Sequence, residues 1–201
     1  MSSRDIQCDL FLSSDAINDD FFIDIVSRKL NLSSDKFKLR LVFIEPATGK
    51  NENYVSVVYR AKISYEILET KERKFLNVII KALIAPMENM REFAVFEREI
   101  LMYENVIESF EKLWIDTTGK DAGFGPKCIK VLSSPYEIIV LDDLKAENYV
   151  MLDRKVGSNF EQAKLVLSKL AKFHAASAVR YEKVNEKILR KNSRNVSLIS
   201  L

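Results

Sequence analysis

The chain has 201 residues, of which 47% are hydrophobic, and 31 basic and 29 acidic side chains leave a formal net charge of +2. This length allows one large domain or two small lobes with a sizeable core. The near balance of charge gives no electrostatic case for a nucleic-acid or membrane partner.

Export and cross-linking signals are also missing from the sequence. The longest apolar runs are far too short to span a bilayer, and the N-terminus lacks the apolar core of a signal peptide. Cys8 and Cys128 are too few for a disulfide framework and lack metal-ligand spacing. We therefore expect a cytoplasmic protein with two free thiols.

The first half of the chain predicts a helix followed by three strands. Helical spacing covers Asp19–Leu30, and alternating apolar residues predict strands over Phe37–Ile44, Tyr54–Tyr65 and Phe75–Leu83. Short polar links between the strands predict an antiparallel meander. The first strand is expected to carry four apolar residues on one side, namely Phe37, Leu39, Leu41 and Phe43.

The second half predicts a long helix, two strands and a second helix. Apolar residues at steps of three and four run through Met90–Trp114, and strands are predicted over Cys128–Leu132 and Tyr136–Leu141. Ser158 and Glu161 predict a capping box for a helix ending near Tyr181. Its expected buried face consists of Phe160, Ala163, Leu167, Leu170 and His174.

A lysine and a glutamate stand out in this pattern. Lys81 ends the apolar run of the third strand, and Glu99 lies beside the apolar stripe of the helix that follows. Phosphoryl transfer depends on placing positive charge near phosphates, and a strand lysine held by a helix glutamate does this. The spacing alone leaves a second interpretation open, in which Lys81 extends its head into water and Glu99 is an exposed helix residue.

Four stretches, in order, carry a resemblance to a known family. They are Gly49–Arg60, Phe96–Tyr103, Ile139–Leu144 and Leu170–Ala178. Together they resemble the N-terminal part of the insect ecdysteroid kinase-like family, relatives of choline and aminoglycoside kinases. The resemblance implies an α+β fold: a protein-kinase-like small lobe, with a five-stranded antiparallel sheet and one main helix, followed by the first helices of a truncated large lobe.

The same resemblance divides the chain into four regions. Residues 1–35 are expected to form an N-terminal helical extension, and residues 36–144 the kinase-like small lobe and hinge. Residues 145–181 would begin the helical large lobe, and the polar residues 182–201 carry no clear fold signal.

The family pattern assigns phosphate contacts to two places. Lys81 would hold the α- and β-phosphates of ATP and Glu99 would hold Lys81. The turn beginning at Gly49 would cover the phosphates, with Asn51, Asn53 and their backbone N–H groups in contact. From the residues alone this turn is a hairpin and no more, because it has neither a Walker motif nor several glycines.

The hinge is expected where the fifth strand ends. Asp142 and Leu144 would mark the segment whose backbone groups recognise adenine. The sequence alone favours a plainer interpretation, in which Asp142 and Asp143 are two solvated aspartates at a turn.

Two further residues invite a catalytic interpretation that the sequence does not favour. His174, the sole histidine, lies on the expected apolar face, so we expect a packed structural residue. Asp121 precedes Ala-Gly-Phe-Gly125 and resembles a metal-binding aspartate, but it follows the main helix and is expected in a surface loop.

The family reaction implies cofactors and a substrate class. It would transfer the γ-phosphate of ATP, with Mg²⁺, to the hydroxyl of a small-molecule alcohol such as an ecdysteroid. The family carries a His-Gly-Asp catalytic loop and a metal-binding aspartate further along, and the sequence reaches Leu201 without either. The expectation is a catalytically inactive fragment with no catalytic or metal-binding residue of its own. The alternative is a non-catalytic nucleotide- or partner-binding module.

Overall fold

The computed structural model describes residues 16–48, 56–83, 95–133, 136–153 and 155–196, and for Val95 and 185–196 it describes the backbone alone. The chain divides into two compact units. The first combines the residues up to Glu104 with Pro126–Val150, and the second combines Asn105–Gly125 with the residues from Met151 onward.

The first unit is built on one five-stranded sheet. Its strands are β1 (Phe37–Pro46), β2 (Ser56–Ile67), β3 (Arg73–Leu83), β4 (Cys128–Leu132) and β5 (Ile138–Asp142). The spatial order is β1-β2-β3-β5-β4, and all neighbouring strands are antiparallel. The expected α+β class with a five-stranded antiparallel sheet, as in a kinase-like small lobe, is confirmed.

Four α-helices accompany this sheet in the described part of the chain. They are α1 (Asp19–Leu30), α2 (Val95–Leu101), α3 (Glu108–Thr118) and α4 (Phe160–Val196), with a π-helical segment, Met102–Ile107, between α2 and α3. Short 3₁₀ turns cover Ser34–Lys36 and Leu144–Glu147.

Helix α1 begins and ends at asparagines. The side-chain oxygen of Asn18 accepts a hydrogen bond from the Phe21 N–H at 3.0 Å, which satisfies one of the free donors of the first turn. Asn31 ends the helix in the left-handed conformation (φ 49°), and its N–H bonds the carbonyl of Arg28. The predicted bounds of this helix agree with the structure.

Helix α1 covers one face of the sheet. The buried core between them contains residues of α1, β1, β2, β3 and β5, namely Phe21, Phe22, Ile25, Val26, Phe37, Tyr59, Ala61, Ile63, Tyr65, Val78, Ile80, Ala82, Ile138 and Val140. Alternate residues of β2 belong to this core, as the period of two predicts.

Strand β1 departs from the predicted alternation because it contains a bulge. Leu39 pairs with Tyr65 and Leu41 pairs with Ser64, so Arg40 is an extra residue without its own partner. One extra residue turns every later side chain to the opposite face. Leu41 and Phe43 are therefore exposed, and the prediction that they share the side of Phe37 and Leu39 is wrong. Beyond the bulge, Val42 and Ile44 pack on the core instead.

Helix α2 lies on the opposite face of the sheet. Phe96 and Ile100 of α2 form a second buried cluster with Ile139 and Leu141 of β5. The sheet is thus a middle layer between α1 and α2.

The single helix predicted over Met90–Trp114 is interrupted, and its first residues lie outside the described part. The π-helical segment separates α2 from α3, and the boundary between the two units falls within it. In the second unit, Phe110 of α3 packs edge-on against Phe173 of α4 and Phe124, with ring centroids 4.9 and 6.4 Å away. The apolar stripe that predicts one helix therefore serves two separate cores.

The cap of α4 lies one residue later than predicted. Asn159 and Gln162 exchange reciprocal hydrogen bonds of 2.9 Å between backbone N–H and side-chain oxygen, which is the capping-box arrangement. The sequence predicts Ser158 and Glu161 for these roles, and that prediction is wrong by one residue. The helix also continues to Val196, through residues predicted to carry no fold signal.

The packed face of α4 also differs from the predicted one. Phe173 packs against Phe110 of α3 and Phe124 of the loop after α3, and Ala176 is buried. The Lys169 ammonium donates to the carbonyls of Ala122 and Gly123 in the same loop. The residues predicted to be buried are mostly exposed, namely Phe160, Leu167, Leu170 and His174. The helix presents a face that is one residue out of phase with the predicted stripe.

Candidate nucleotide-binding site

Lys81 lies near the end of β3, the central strand of the sheet. Its Cα pairs with Val58 of β2 on one side and Ile139 of β5 on the other. Because Ile80 and Ala82 face α1, the period of two turns Lys81 toward α2. A lysine on a strand that is paired on both sides has little freedom except along that face.

Glu99 meets Lys81 on this face. The Lys81 Nζ lies 2.6 Å from both carboxylate oxygens of Glu99, so the predicted ion pair is confirmed. Phe96 and Ile100, one helical turn apart, anchor α2 on the sheet and leave the intervening Glu99 half-buried beside the lysine. Glu97, on another side of the helix, is exposed.

The surroundings of the pair are partly apolar. The Lys81 and Glu99 side chains are 24% and 27% exposed, and the Lys81 Nζ lies 5.9 Å from the centre of the Phe96 ring. Burial raises the pKa of the neighbouring Tyr103 phenol, and the Glu99 carboxylate acts in the same direction. The result is a positioned, partly accessible ammonium group that an anion can reach.

The loop assigned to the phosphates lies outside the described residues. This holds for Gly49, Asn51 and Asn53, whose assignment stays a prediction.

The hinge aspartates are not solvated, and the plainer interpretation of them is wrong. The Lys29 Nζ contacts both carboxylate oxygens of Asp142, at 2.6 and 2.7 Å. The Arg60 guanidinium contacts Asp143 at 2.6 Å through Nε and 3.4 Å through Nη2. The two carboxylates are 9% and 3% exposed. Sequence inspection missed Lys29 and Arg60 because they are 113 and 83 residues away from their partners.

Asp143 also shapes the backbone that follows it. Its carboxylate accepts a hydrogen bond from the Lys145 N–H at 3.2 Å and caps the 3₁₀ turn that starts at Leu144. The first N–H of such a turn has no partner within the turn. The Leu144 N–H and the carbonyls at the strand exit are the kind of groups that bind a purine edge.

The two residues that invite a catalytic interpretation, His174 and Asp121, belong to the second unit. His174 is exposed rather than packed, so the prediction of a buried structural histidine is wrong. Its ring lies edge-on to that of Phe173, with centroids 6.4 Å apart. The Asp121 carboxylate accepts a hydrogen bond from the Gly123 N–H at 2.8 Å, a local turn contact in an exposed loop.

The family model of the Ecdysteroid kinase-like family matches residues 50–197, which is more than half of the chain. The chain belongs to the ecdysteroid kinase-like family. No curated protein and no solved structure matches the chain. The matched region contains Lys81, Glu99 and the hinge, and it leaves out α1.

ATP and Mg²⁺ are the cofactors that kinase-like families generally use. The Lys81 ammonium and the capped hinge backbone fit a phosphate chain and a purine. Among the described residues, no group of three or more His, Cys, Asp or Glu side chains is placed to hold a metal ion. Among the helices in the described ranges, none is both long and apolar enough to cross a membrane.

Proposed function

We propose that the chain is the nucleotide-binding part of an ATP-dependent small-molecule kinase-like protein. Lys81 binds the α- and β-phosphates, Glu99 fixes the Lys81 ammonium, and the backbone around Leu144 binds adenine. The observation that carries the proposal is the contact of 2.6 Å between the Lys81 Nζ and each Glu99 oxygen.

The chemical reason is that phosphoryl transfer depends on placed charge. A lysine locked against a carboxylate keeps its ammonium at one position, where it neutralises phosphate charge without reorganising. In the proposed family reaction an acceptor alcohol oxygen bonds the γ-phosphorus while the bridging oxygen leaves with ADP. We propose a small-molecule alcohol, such as an ecdysteroid, as that acceptor.

For the 201 residues themselves we propose binding without transfer. The sequence contains no His-Gly-Asp loop, and its one histidine, His174, is followed by Ala175. The purified chain is expected to bind ATP and to show no Mg²⁺-dependent turnover with steroid or amino-alcohol acceptors. Turnover that disappears in Lys81→Ala would contradict this part of the proposal.

The binding test compares two lysines on the same face of the sheet. Lys62 of β2 lies 4.7 Å from the centre of the Phe75 ring and is exposed, so Lys62→Ala is a matched control for Lys81→Ala. Titration calorimetry with ATP in EDTA makes the result depend on protein cations alone. Loss of a charge-assisted contact predicts a roughly 10- to 100-fold rise in the Kd of Lys81→Ala.

The control and the intermediate variant make the outcome specific. Lys62→Ala is expected within about twofold of wild type, since an exposed charge contributes little. Glu99→Gln keeps a neutral acceptor and should fall between wild type and Lys81→Ala. Equal affinities for wild type and Lys81→Ala would refute the assignment of Lys81 to the phosphates.

A further inference from the structure

The hinge carboxylates are paired from two sides of the sheet. We infer that Lys29 and Arg60 are positioning residues, which hold Asp142 and Asp143 so that the hinge backbone is preset for adenine. This inference rests on the proposed nucleotide-binding function.

Lys29 reaches the hinge from the face covered by α1. It lies in the last turn of α1, and its ammonium bonds both oxygens of Asp142 at the end of β5. Ile138 and Val140 place that side of β5 in the α1 core, and Asp142 follows them at the period of two. Lys29 lies outside the residues matched by the family model.

Arg60 reaches the hinge from the face covered by α2. Its neighbours Tyr59 and Ala61 are buried in the α1 core, so Arg60 is turned to the other side. Its Cα pairs with Ile79 of β3, and its guanidinium extends past that strand to Asp143. Donation of a hydrogen bond to the Asp143 carboxylate raises the pKa of Arg60, so the guanidinium stays protonated throughout the physiological range.

These two ion pairs fix the side chains of two consecutive residues, Asp142 and Asp143, where β5 ends and the hinge begins. Asp142 is held by α1 and Asp143 by β2, while Asp143 also bonds the Lys145 N–H. Because one of these consecutive residues is held on each face of the sheet, the peptide plane between them cannot rotate without breaking one of the two ion pairs.

This constraint matters because adenine is bound by the backbone. A backbone hinge has no side chain that could adjust to the base, so its affinity depends on the donors and acceptors being in place before binding. Replacing Lys29 or Arg60 can therefore weaken adenine binding even though neither side chain touches the nucleotide. The contact that loosens is the one to the base, while the contact of Lys81 to the phosphates persists.

The test therefore separates base binding from phosphate binding. ATP and inorganic tripolyphosphate are titrated calorimetrically into wild type, Lys29→Gln and Arg60→Gln. Each variant is expected to raise the Kd for ATP about three- to tenfold, the effect of weakening one neutral hydrogen bond. The Kd for tripolyphosphate should stay within about twofold of wild type.

Two control variants remove comparable ion pairs away from the hinge. Lys130→Gln breaks the 2.7 Å contact between β4 and Asp24 of α1, and Arg40→Gln breaks the 2.7 Å contact with Glu66. Each control variant should bind ATP and tripolyphosphate with a Kd within about twofold of wild type. Equal losses in Lys130→Gln and Lys29→Gln would show that docking of α1, rather than the hinge contact, is responsible, and would overturn the role of Lys29.

Conservative variants keep the test decisive if a neutral variant fails to fold. Lys29→Arg and Arg60→Lys retain the charge and should recover most of the ATP affinity. Amide exchange of Lys145 and Ala146, measured without nucleotide, should be faster in Arg60→Gln than in Arg60→Lys.

The possible outcomes separate this inference from the function on which it rests. A wild-type chain without affinity for ATP would overturn the proposed function, and this inference with it. A wild-type chain that binds ATP, with variants of Lys29 and Arg60 that bind it equally well, would overturn the positioning role alone. Loss of tripolyphosphate affinity in step with ATP would also overturn it, because the effect would not be confined to the base.

Discussion

Removing Arg60 should destabilise the sheet unit far more than removing a comparable arginine at the surface. Arg60→Ala leaves the Asp143 carboxylate, 3% exposed, without its cation. An uncompensated buried charge typically costs about 3–5 kcal/mol of unfolding free energy. Because Arg60 itself is 22% exposed and Asp143 keeps the Lys145 N–H, we expect a smaller cost, about 2–3 kcal/mol.

Arg40 provides the matched comparison. It also pairs with a carboxylate in the same sheet, at 2.7 Å from Glu66, but it is 33% exposed. Exposed pairs contribute about 0–1 kcal/mol, so Arg40→Ala should cost no more than that. For a chain of this size the corresponding drops in Tm are about 4–12 °C for Arg60→Ala and at most about 4 °C for Arg40→Ala.

The assay is a double-mutant cycle in urea. Unfolding free energies of Arg60→Ala, Asp143→Ala and the double variant give the coupling between the two side chains, and amide exchange in β5 assigns it to the sheet unit. The double variant should be more stable than the sum of the single losses predicts, since it leaves no buried charge behind. A coupling energy no larger than that of Arg40 with Glu66 would refute the conclusion that the Asp143 pair is buried and tight.

Two other predictions concern local chemistry. Burial raises the pKa of the Cys128 thiol to about 11, so in a Cys8→Ser background its alkylation by iodoacetamide should be slow at pH 8 and accelerate toward pH 11. In the unfolded chain the thiol ionises near its ordinary pKa of about 8.5, whereas in the folded chain it ionises near 11. The free energy of unfolding is therefore expected to fall as pH rises from about 8.5 to about 11. Fast alkylation at pH 8 would contradict the burial of Cys128. At the start of α4, Asn159→Ala should lower the unfolding free energy by about 1 kcal/mol whereas Ser158→Ala should not, as measured by thermal denaturation; the reverse order would restore the capping box predicted from the sequence.

The pair at the candidate site could be predicted mainly from the family pattern, and the local spacing of Lys81 and Glu99 is compatible with it. Lys81 ends a run of apolar strand residues, and Glu99 follows on the next helix only 18 residues later. Alternation fixes the face of the strand, and the apolar stripe fixes the face of the helix, so the two charges can meet in few ways. The family resemblance then gave this geometry its chemical meaning.

Two of the wrong predictions assign residues to the wrong face of a strand or a helix, each by one position along the chain. The bulge at Arg40 adds one residue to β1 and leaves no mark in composition, so Leu41 and Phe43 were placed on the wrong side. On α4, the partner side chains from α3 and its loop select Phe173 rather than His174. A helix with apolar residues on several sides does not reveal from its own sequence which side will be packed.

The hinge shows why long-range charge pairing escapes sequence inspection. Aspartates at a strand exit are usually solvated, and nothing near Asp142 in the sequence argues otherwise. Their burial depends on cations delivered by α1 and β2, and it is the fold that brings Lys29 to one face and Arg60 to the other. The matched family region begins at residue 50, so the cation on Asp142 comes from a helix that the family pattern leaves out. That helix also buries Ile25 and Val26 completely against the sheet. The Lys29 contact therefore joins α1 to the hinge at Asp142, and loss of this contact is expected to disturb the hinge even where α1 stays packed on the sheet.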